Sequence, residues 1–338
     1  MSDVFDFVIV GAGPAGLATA IAAKKKGLSA VVLEKAALVN TILHYPVNMV
    51  FFTTPELLEI GGLPFTTPYE KPTRQEALNY YRRVVDTYDL SIAFDRQVQS
   101  VTRASAADGP LVVEASDADG QVHQWQARAV VLATGAFDLP NVCGIPGEEL
   151  PHVSHYYTEA HPYYRKDVVI VGGQNSAADA ALDLYRSGAR VTVVHRRAVL
   201  GDSIKYWVKP DIENRIKEGS IAARFEARVL RITDHHVTIE RHGATEDLPA
   251  DVVFLLTGYH SDTTLLKAAG VQFDPTTYEP RYSPDTLETN VPGVYLVGAV
   301  TTGRQSGRIF IENGRFHGER VAEVVAERLQ RSAQGQPA

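Results

Sequence analysis

The chain has 338 residues, a net charge of −7 and one cysteine, with 45% hydrophobic and 22% charged residues. That length accommodates two domains with separate cores, in the composition range of ordinary globular proteins. The acidic balance, with no long Lys/Arg run, argues against a nucleic-acid binder, and a lone cysteine excludes both an intramolecular disulfide and a Cys-x-x-Cys pair. No stretch approaches 18 apolar residues, and MSDVFDFVIV lacks the basic flank of a signal peptide. A cytoplasmic protein that binds neither nucleic acid nor membrane is expected.

Residues 6–10 (DFVIV) read as a buried strand, followed by Gly11-Ala12-Gly13-Pro14-Ala15-Gly16, a complete G-x-G-x-x-G. A helix follows, with Leu17 and Ile21 on one face, Lys24, Lys25 and Lys26 complementing its C-terminal dipole and Gly27 as its cap. The second strand, 30–33, ends at Glu34. An acid at this spacing, about 20 residues on, holds an adenosine ribose that carries no 2′-phosphate. Strand, glycines, helix, strand and acid all stand in the required order.

Prolines 46, 55, 64, 68 and 72 forbid one long helix before a helical pattern over 75–86. This excursion is suited to covering a flavin, with Tyr45, Phe51 and Phe52 as candidate ring contacts and plain packing as their commoner role. Strands at 97–103, 111–115 and 122–127, with Asp-Gly and Asp-Ala-Asp-Gly turns, suggest a small antiparallel meander. Residues 129–135 form another buried strand, closed by Thr134-Gly135. The stretch 138–164 then reads as a linker. His152 and His155 are expected there as a solvated pair, not as metal ligands, and Cys143 as a structural thiol.

Residues 167–197 form a second βαβ unit: strand 167–171, Gly172-Gly173, a helix to about Arg186 with Asn175 and Ser176 as cap chemistry, Gly188, and strand 191–194. Its glycine pattern is incomplete, with Gln174 at the middle position and Ala177 at the last. Where an NAD site places a carboxylate, this chain has His195, Arg196 and Arg197. Guanidinium groups bind a 2′-phosphate that a carboxylate would repel. The unit reads as an NADPH site, against the alternative of an ordinary crossover with surface arginines. Lys205 and Lys209 either add to the phosphate site or are solvated. Strands follow over 229–241 and 252–256, closing the inserted domain near His260. Strand 294–297 and one helix over 308–330 complete the reading, with a frayed end beyond about Leu329. Opposite ribose chemistry in the two units points to FAD in the first and NADPH in the second, a pair that passes a hydride to flavin.

The order GxGPAG…E, VVLATGA, VVIVGGxNSA…HRR, LLTGY and NVPGVYLVGA resembles the thioredoxin-reductase-like flavoproteins over essentially the whole chain. FFTTPELLEIGGLPF, KPTRQEALNYYR, HPYYRKDVVIVGGQNSAADAALDL and FIENGRFHGE are similar to the bacillithiol-disulfide reductase group. The resemblance implies an α/β fold of two Rossmann-like, three-layer domains. An FAD domain of residues 1–160 and 261–338 would receive an NADPH domain, 161–260, as an insertion. It adds Lys35, Thr41, Val98, Gly298, Ala299, Phe310, Ile311 and Gly258 as cofactor-binding positions. It also implies NADPH-dependent reduction of a small disulfide by a homodimer.

Three departures stand out. There is no Cys-x-x-Cys; Ala15 occupies the position where bacillithiol-disulfide reductases usually carry a cysteine; and Gly298-Ala299 replaces a Gly-Asp that binds the ribityl chain. Chemistry centred on the flavin, with no catalytic side chain, is therefore expected. The acceptor is expected to be a small disulfide or a carrier such as ferredoxin or flavodoxin. A flavin monooxygenase, whose F-x-G-x-x-x-H signature is absent, and an NADPH-responsive flavin-binding protein with little turnover are the alternatives. The helix entered near 308–314 is expected to aim its positive end at the flavin pyrimidine.

Overall fold

The computed structural model describes residues 4–104, 109–305 and 307–334. The chain forms two compact units, one of residues 1–44, 49–139 and 259–338, the other of 45–48 and 140–258.

The first unit is built on a seven-stranded sheet. Its order is Ile92–Ala93, Ala30–Leu33, Phe5–Val10, Val122–Leu132, Leu111–Ser116 and Gln97–Arg103, with Val294–Leu296 also paired to Val122–Leu132. The expected meander strand at 122–127 and return strand at 129–135 are one strand. Its first half pairs antiparallel with Leu111–Ser116, and its second half pairs parallel with Phe5–Val10. The two halves read differently because their surroundings differ. Antiparallel Val122–Ala127 has one solvated face and alternates, whereas Ala129–Leu132 is covered on both faces and is apolar throughout. Asp108 of the expected Asp-Gly turn lies outside the described residues. The helix Arg74–Tyr88 starts on a reciprocal cap, in which Thr73 Oγ1 accepts the Glu76 amide at 3.2 Å and Glu76 Oε2 accepts the Thr73 amide at 2.8 Å. Phe51 is buried and packs.

The single C-terminal helix expected over 308–330 is broken in two, Ile311–Gly314 and His317–Ala333. At the break Arg315 Nη1 donates to the Glu56 and Glu59 carbonyls, both at 2.7 Å, so its side chain is tied outside the helix. The longer helix runs past the expected end at Leu329; what lies beyond 334 falls outside the described residues.

The second unit has an all-parallel five-stranded sheet in the order Ala222–Phe225, Arg190–His195, Asp167–Val171, Val252–Leu255, Val153–Ser154. Side chains alternate between two cores. Val168, Ile170, Val191, Val193 and Phe254 pack with the helix Asn175–Arg186, while Val169, Val194, Val253 and Leu255 pack with a three-stranded antiparallel layer. That layer comprises Ala227–Ile232, His236–Arg241 and Ala244–Pro249. Helix, parallel sheet and small sheet make three layers.

Residues 140–160, grouped by sequence with the first domain, fall in the second unit because Val153–Ser154 adds a strand to its sheet. The expected solvated histidines are half-buried and bonded: His152 Nε2 donates to the Thr233 carbonyl at 3.1 Å, and His155 Nε2 lies 3.1 Å from Glu148 Oε1. No group of three or more His, Cys, Asp or Glu able to hold a metal occurs among the described residues. No helix there is long and apolar enough to cross a membrane.

Candidate cofactor sites

Strand Phe5–Val10 delivers Gly11 with φ +108°, its amide donating to the Leu33 carbonyl at 2.8 Å. A Cβ on Gly11 would stand 2.6 Å from the Ala133 carbonyl oxygen, and one on Gly16 would stand 2.0 Å from the Gly11 oxygen. These two glycines let strand and helix touch. Gly13 differs, because a Cβ there would meet nothing within 4 Å. Its backbone faces open space at the start of helix Pro14–Lys25, with Pro14 in its first turn. That open face fits the close approach of a pyrophosphate.

Glu34 is buried, and its two oxygens accept the Ala12 amide at 2.8 Å and the Ala36 amide at 2.9 Å. The carboxylate is thus held to the glycine loop with lone pairs remaining for ribose hydroxyls. Lys35 pairs with Asp138 at 2.5 Å. Thr41 lies in the short helix Asn40–Leu43, and Val98 beside an irregularity in the strand Gln97–Arg103. Thr134 and Gly135 follow the strand Val122–Leu132, with Gly135 at φ +73°.

The C-terminal segment reaches the same loop. Gly298 has φ +74°, and a Cβ on it would stand 2.8 Å from the Ala15 Cβ. Gly298 and Ala299 open a 3-10 turn to Thr302, in which Thr301 Oγ1 and Thr302 Oγ1 donate to their carbonyls at 2.8 Å. Phe310 is exposed, its amide bonded to Asn313 Oδ1 at 2.8 Å, and Ile311 starts a helix of only four residues. The long helix expected to begin in 308–314 therefore starts instead at His317. Tyr45, expected against the flavin, groups with the second unit, where the nearby Val47 amide donates to the Thr158 carbonyl at 2.8 Å.

The second unit repeats the first turn's construction. The Gly172 amide donates to the Val194 carbonyl at 3.1 Å, and a Cβ on Gly172 would stand 2.6 Å from the Leu256 oxygen and 3.0 Å from the Ala177 Cβ. Alanine thus fills the last position with little room to spare. Gln174, at the position of the missing glycine, turns its side chain aside: its Oε1 accepts from Ser203 Oγ and packs on Gly201.

The expected cap chemistry is absent. Gln174 precedes the helix without a side-chain cap bond, and Ser176 is exposed. Asn175 instead reaches across the turn, its Nδ2 donating to the Ser203 carbonyl at 2.9 Å and its Oδ1 accepting the Lys205 amide at 3.0 Å. With the Gly201 amide on the Gly173 carbonyl at 2.8 Å, residues 201–205 form a strap over the turn. No sequence motif announces Gly201 or Ser203, because the strap is made by contacts 28 to 30 residues apart.

His195 leaves the trio expected at the 2′-phosphate. Its ring lies against Gly173, where a Cβ would stand 2.4 Å from Nδ1, and burial, then Arg197 and Arg196, hold it below the ordinary imidazole range. Its Nε2 is buried with no hydrogen-bond partner among the described residues. Arg196 and Arg197 are exposed. Lys209 is committed to Asp202 at 3.0 Å, and half-buried Lys205 lies in the field of Asp179. Burial pushes the Asp179 carboxyl up to about 6 against the pull of Lys205 and Arg186. Gly258, at φ +92°, accepts the Asn141 amide on its carbonyl at 2.9 Å.

Residues 8–298 match the family model for pyridine nucleotide-disulphide oxidoreductases. The chain belongs to this family. It is 42% identical over 323 residues to bacilliredoxin reductase Bdr of Bacillus subtilis (strain 168), covering 95% of this chain and 97% of that protein. It is similar to the structure of bacillithiol disulfide reductase Bdr (YpdA) from Bacillus cereus at a TM-score of 0.93 and 41% identity, covering 96% of this chain and 100% of that one. A ferredoxin–NADP reductase of Ignicoccus hospitalis is 25% identical over 88% of this chain and 90% of its own length. A flavin-containing monooxygenase from Stenotrophomonas maltophilia, at 22% identity and a TM-score of 0.77 over 97% of this chain and 99% of its own, shares the fold. The family member described here is an FAD-dependent oxidoreductase with two Rossmann-like dinucleotide-binding domains, and FAD and NADPH are its group's cofactors. The open backbone at Gly13, the anchored Glu34 and the exposed arginines fit those two groups.

Proposed function

We propose that this protein transfers electrons from NADPH through FAD to a small disulfide of the bacillithiol-disulfide type, with no side-chain thiol in the relay. The observation that carries the reading is the contrast between the two ribose positions. Glu34 is a buried carboxylate tied to the Ala12 and Ala36 amides, whereas the matching strand of the second unit ends in exposed Arg196 and Arg197. The first excludes a 2′-phosphate by repulsion, and the second attracts one. FAD, when bound, accepts two electrons from NADPH and delivers them to the acceptor. The balance is NADPH, one proton and a disulfide giving NADP⁺ and two thiols.

The residues bind and orient. Gly11, Gly13, Pro14, Ala15 and Gly16 shape the first turn, whose helix-terminal amides at Ala15 and Gly16 would meet the FAD pyrophosphate beside the open Gly13. In the second turn, Gly172 to Ser176, the amides of Asn175 and Ser176 would do the same for NADPH, while the Gly11 and Gly172 amides are held by the neighbouring strands. Thr134, Gly135, Gly298 and Ala299 supply backbone groups near the first loop. Similarity to the two Bdr proteins supports a small disulfide as acceptor. Alanine at position 15 supports a second reading, a ferredoxin or flavodoxin reductase, since one-electron carriers need no thiol. Cytoplasmic location and a homodimer belong to the same proposal.

Anaerobic reduction with NADPH and with NADH, followed by reoxidation with bacillithiol disulfide, other small disulfides, ferredoxin, flavodoxin and oxygen, tests it. Fast bleaching by NADPH and reoxidation by a disulfide are expected. Reoxidation by ferredoxin or flavodoxin alone would establish the second reading, and an oxygenated flavin that persists would establish a monooxygenase.

A further inference from the structure

His317 opens the helix His317–Ala333 and lies outside every cofactor-binding position named so far. The Gly298 amide donates to its Nδ1 at 3.1 Å. A ring nitrogen that accepts an N–H carries no proton, so this imidazole is neutral, with its hydrogen on Nε2. Two close approaches frame the bond. A Cβ on Gly298 would stand 2.8 Å from the Ala15 Cβ, and one on Gly318 would stand 2.6 Å from the Thr19 N and Cα. Thr19 Oγ1 in turn donates to the Ala15 carbonyl at 2.8 Å. The glycine loop's helix, the turn after the last strand and the start of the final helix therefore meet around Ala15.

We propose that His317 is a positioning residue for FAD, its Nδ1 holding the Gly298–Ala299 turn against Ala15 by accepting the Gly298 amide. The role rests on the reading that FAD lies on the GAGPAG loop. It makes binding sensitive to acid. Protonation at Nδ1 removes the acceptor and sets one N–H against another. Of the charged groups on the elements packed around it, Glu319 and Arg320 follow it on its own helix, and Glu312 and Arg315 come just before it. On the helix Pro14–Lys25 they are Lys24 and Lys25, in the last turn, and the Gly298–Thr302 turn carries none. Burial alone holds the imidazole below its ordinary range. The tie is therefore complete above the ordinary imidazole range and is lost as pH falls through it toward the depressed folded value.

FAD release from the holoprotein, read as flavin fluorescence appearing in solution between pH 8 and pH 5, tests the role. The wild type, His317→Asn and His317→Leu are compared. Asparagine offers Oδ1 as an acceptor but does not titrate. Acid-accelerated release is expected from the wild type, with a flat profile and wild-type retention at neutral pH from His317→Asn. For His317→Leu, release about five- to tenfold faster at every pH is expected, the effect of one neutral hydrogen bond. Apoprotein melting of His317→Asn should coincide with the wild type at neutral pH, while His317→Leu, which leaves the Gly298 amide unpaired, should melt lower. Loss of the acid profile in His317→Asn at unchanged apoprotein stability separates positioning from loss of packing. Wild-type retention by His317→Leu, or an acid profile unchanged in His317→Asn, would overturn the proposal. If His317→Leu fails to fold, the other two profiles decide. A wild type that takes up no FAD would overturn the FAD reading itself, and this role with it.

Discussion

A Cβ on Gly16 would stand 2.0 Å from the carbonyl oxygen of Gly11. No side-chain movement relieves that contact, because both partners are backbone. Three residues earlier, a Cβ on Gly13 would meet nothing within 4 Å, and Gly13 has an ordinary extended φ of −77°. The fold accounts for the first glycine; on the proposed reading that FAD lies on this loop, the ligand accounts for the second.

Gly16→Ala is accordingly expected to destabilise the apoprotein by more than about 3 kcal/mol, and Gly13→Ala by less than about 0.5 kcal/mol. Gly13→Ala should nevertheless weaken FAD at least about tenfold, because the methyl group occupies the ligand's approach. Urea unfolding of the apoproteins and FAD titration check both. A Gly13→Ala variant that binds FAD normally would move the pyrophosphate elsewhere.

Arg196 and Arg197 are exposed at the end of strand Arg190–His195. Replacing either with Ala should weaken NADPH about tenfold or more, from charge-assisted contacts worth roughly 1.5–3 kcal/mol each, while NADH changes little. Titration with both nucleotides measures this. Equal losses for the two would show that the arginines do not read the 2′-phosphate.

Asp179 gives a pH dependence with a definite sign. Burial raises its folded value to about 6, above about 3.9 for an unfolded aspartate. The native state therefore binds the extra proton, and its stability falls as pH rises from about 4 through about 6. Asp179→Asn should be more stable than wild type at pH 7 by roughly 1–2 kcal/mol, a figure discounted for partial exposure, and indistinguishable near pH 4. Thermal melting at the two pH values checks it, and an equal effect at both would rule out titration as the cause.

Cys143 is an exposed residue whose Sγ lies 3.6 Å from Thr257 Oγ1. Burial of the thiol pushes its titration up, and Arg196, the weakest of the influences on it, does not reverse this. A thiol protonated at neutral pH is a poor nucleophile. Cys143→Ala should leave FAD reduction and turnover with an artificial one-electron acceptor unchanged in stopped-flow traces. Ala15→Cys, which places sulfur on the GAGPAG loop, should raise the rate of disulfide reduction above that of the wild type. Loss of turnover in Cys143→Ala with FAD still bound would end the thiol-independent mechanism.

The strands and helices that carry the two glycine turns were legible from sequence because their signals are local. Apolar runs, glycines at fixed offsets and a residue type at the end of the second strand all fall within one βαβ unit of about 30 residues. Glu34, Arg196 and Arg197 stand where that reading puts them, each at the end of a strand. With Cys143 the one cysteine in the sequence, an intramolecular disulfide and a Cys-x-x-Cys pair within these residues are excluded without any structure.

Tertiary structure decided whatever depends on partners distant in the chain. The strand Val122–Leu132 reads as two because its halves have different neighbours, and those neighbours come from residues 5–10 and 111–116. His195 carries the same sequence signal as the arginines after it, but its ring packs on Gly173, and burial and the two arginines hold it below the ordinary imidazole range. Asn175 looks like a cap and is a tie to the strap at Ser203 and Lys205, while His317 lies in the FIENGRFHGE segment without any sign of a role until Gly298 arrives beside it. A side chain's type is written locally; the hydrogen-bond partner that gives it a role is chosen by long-range packing.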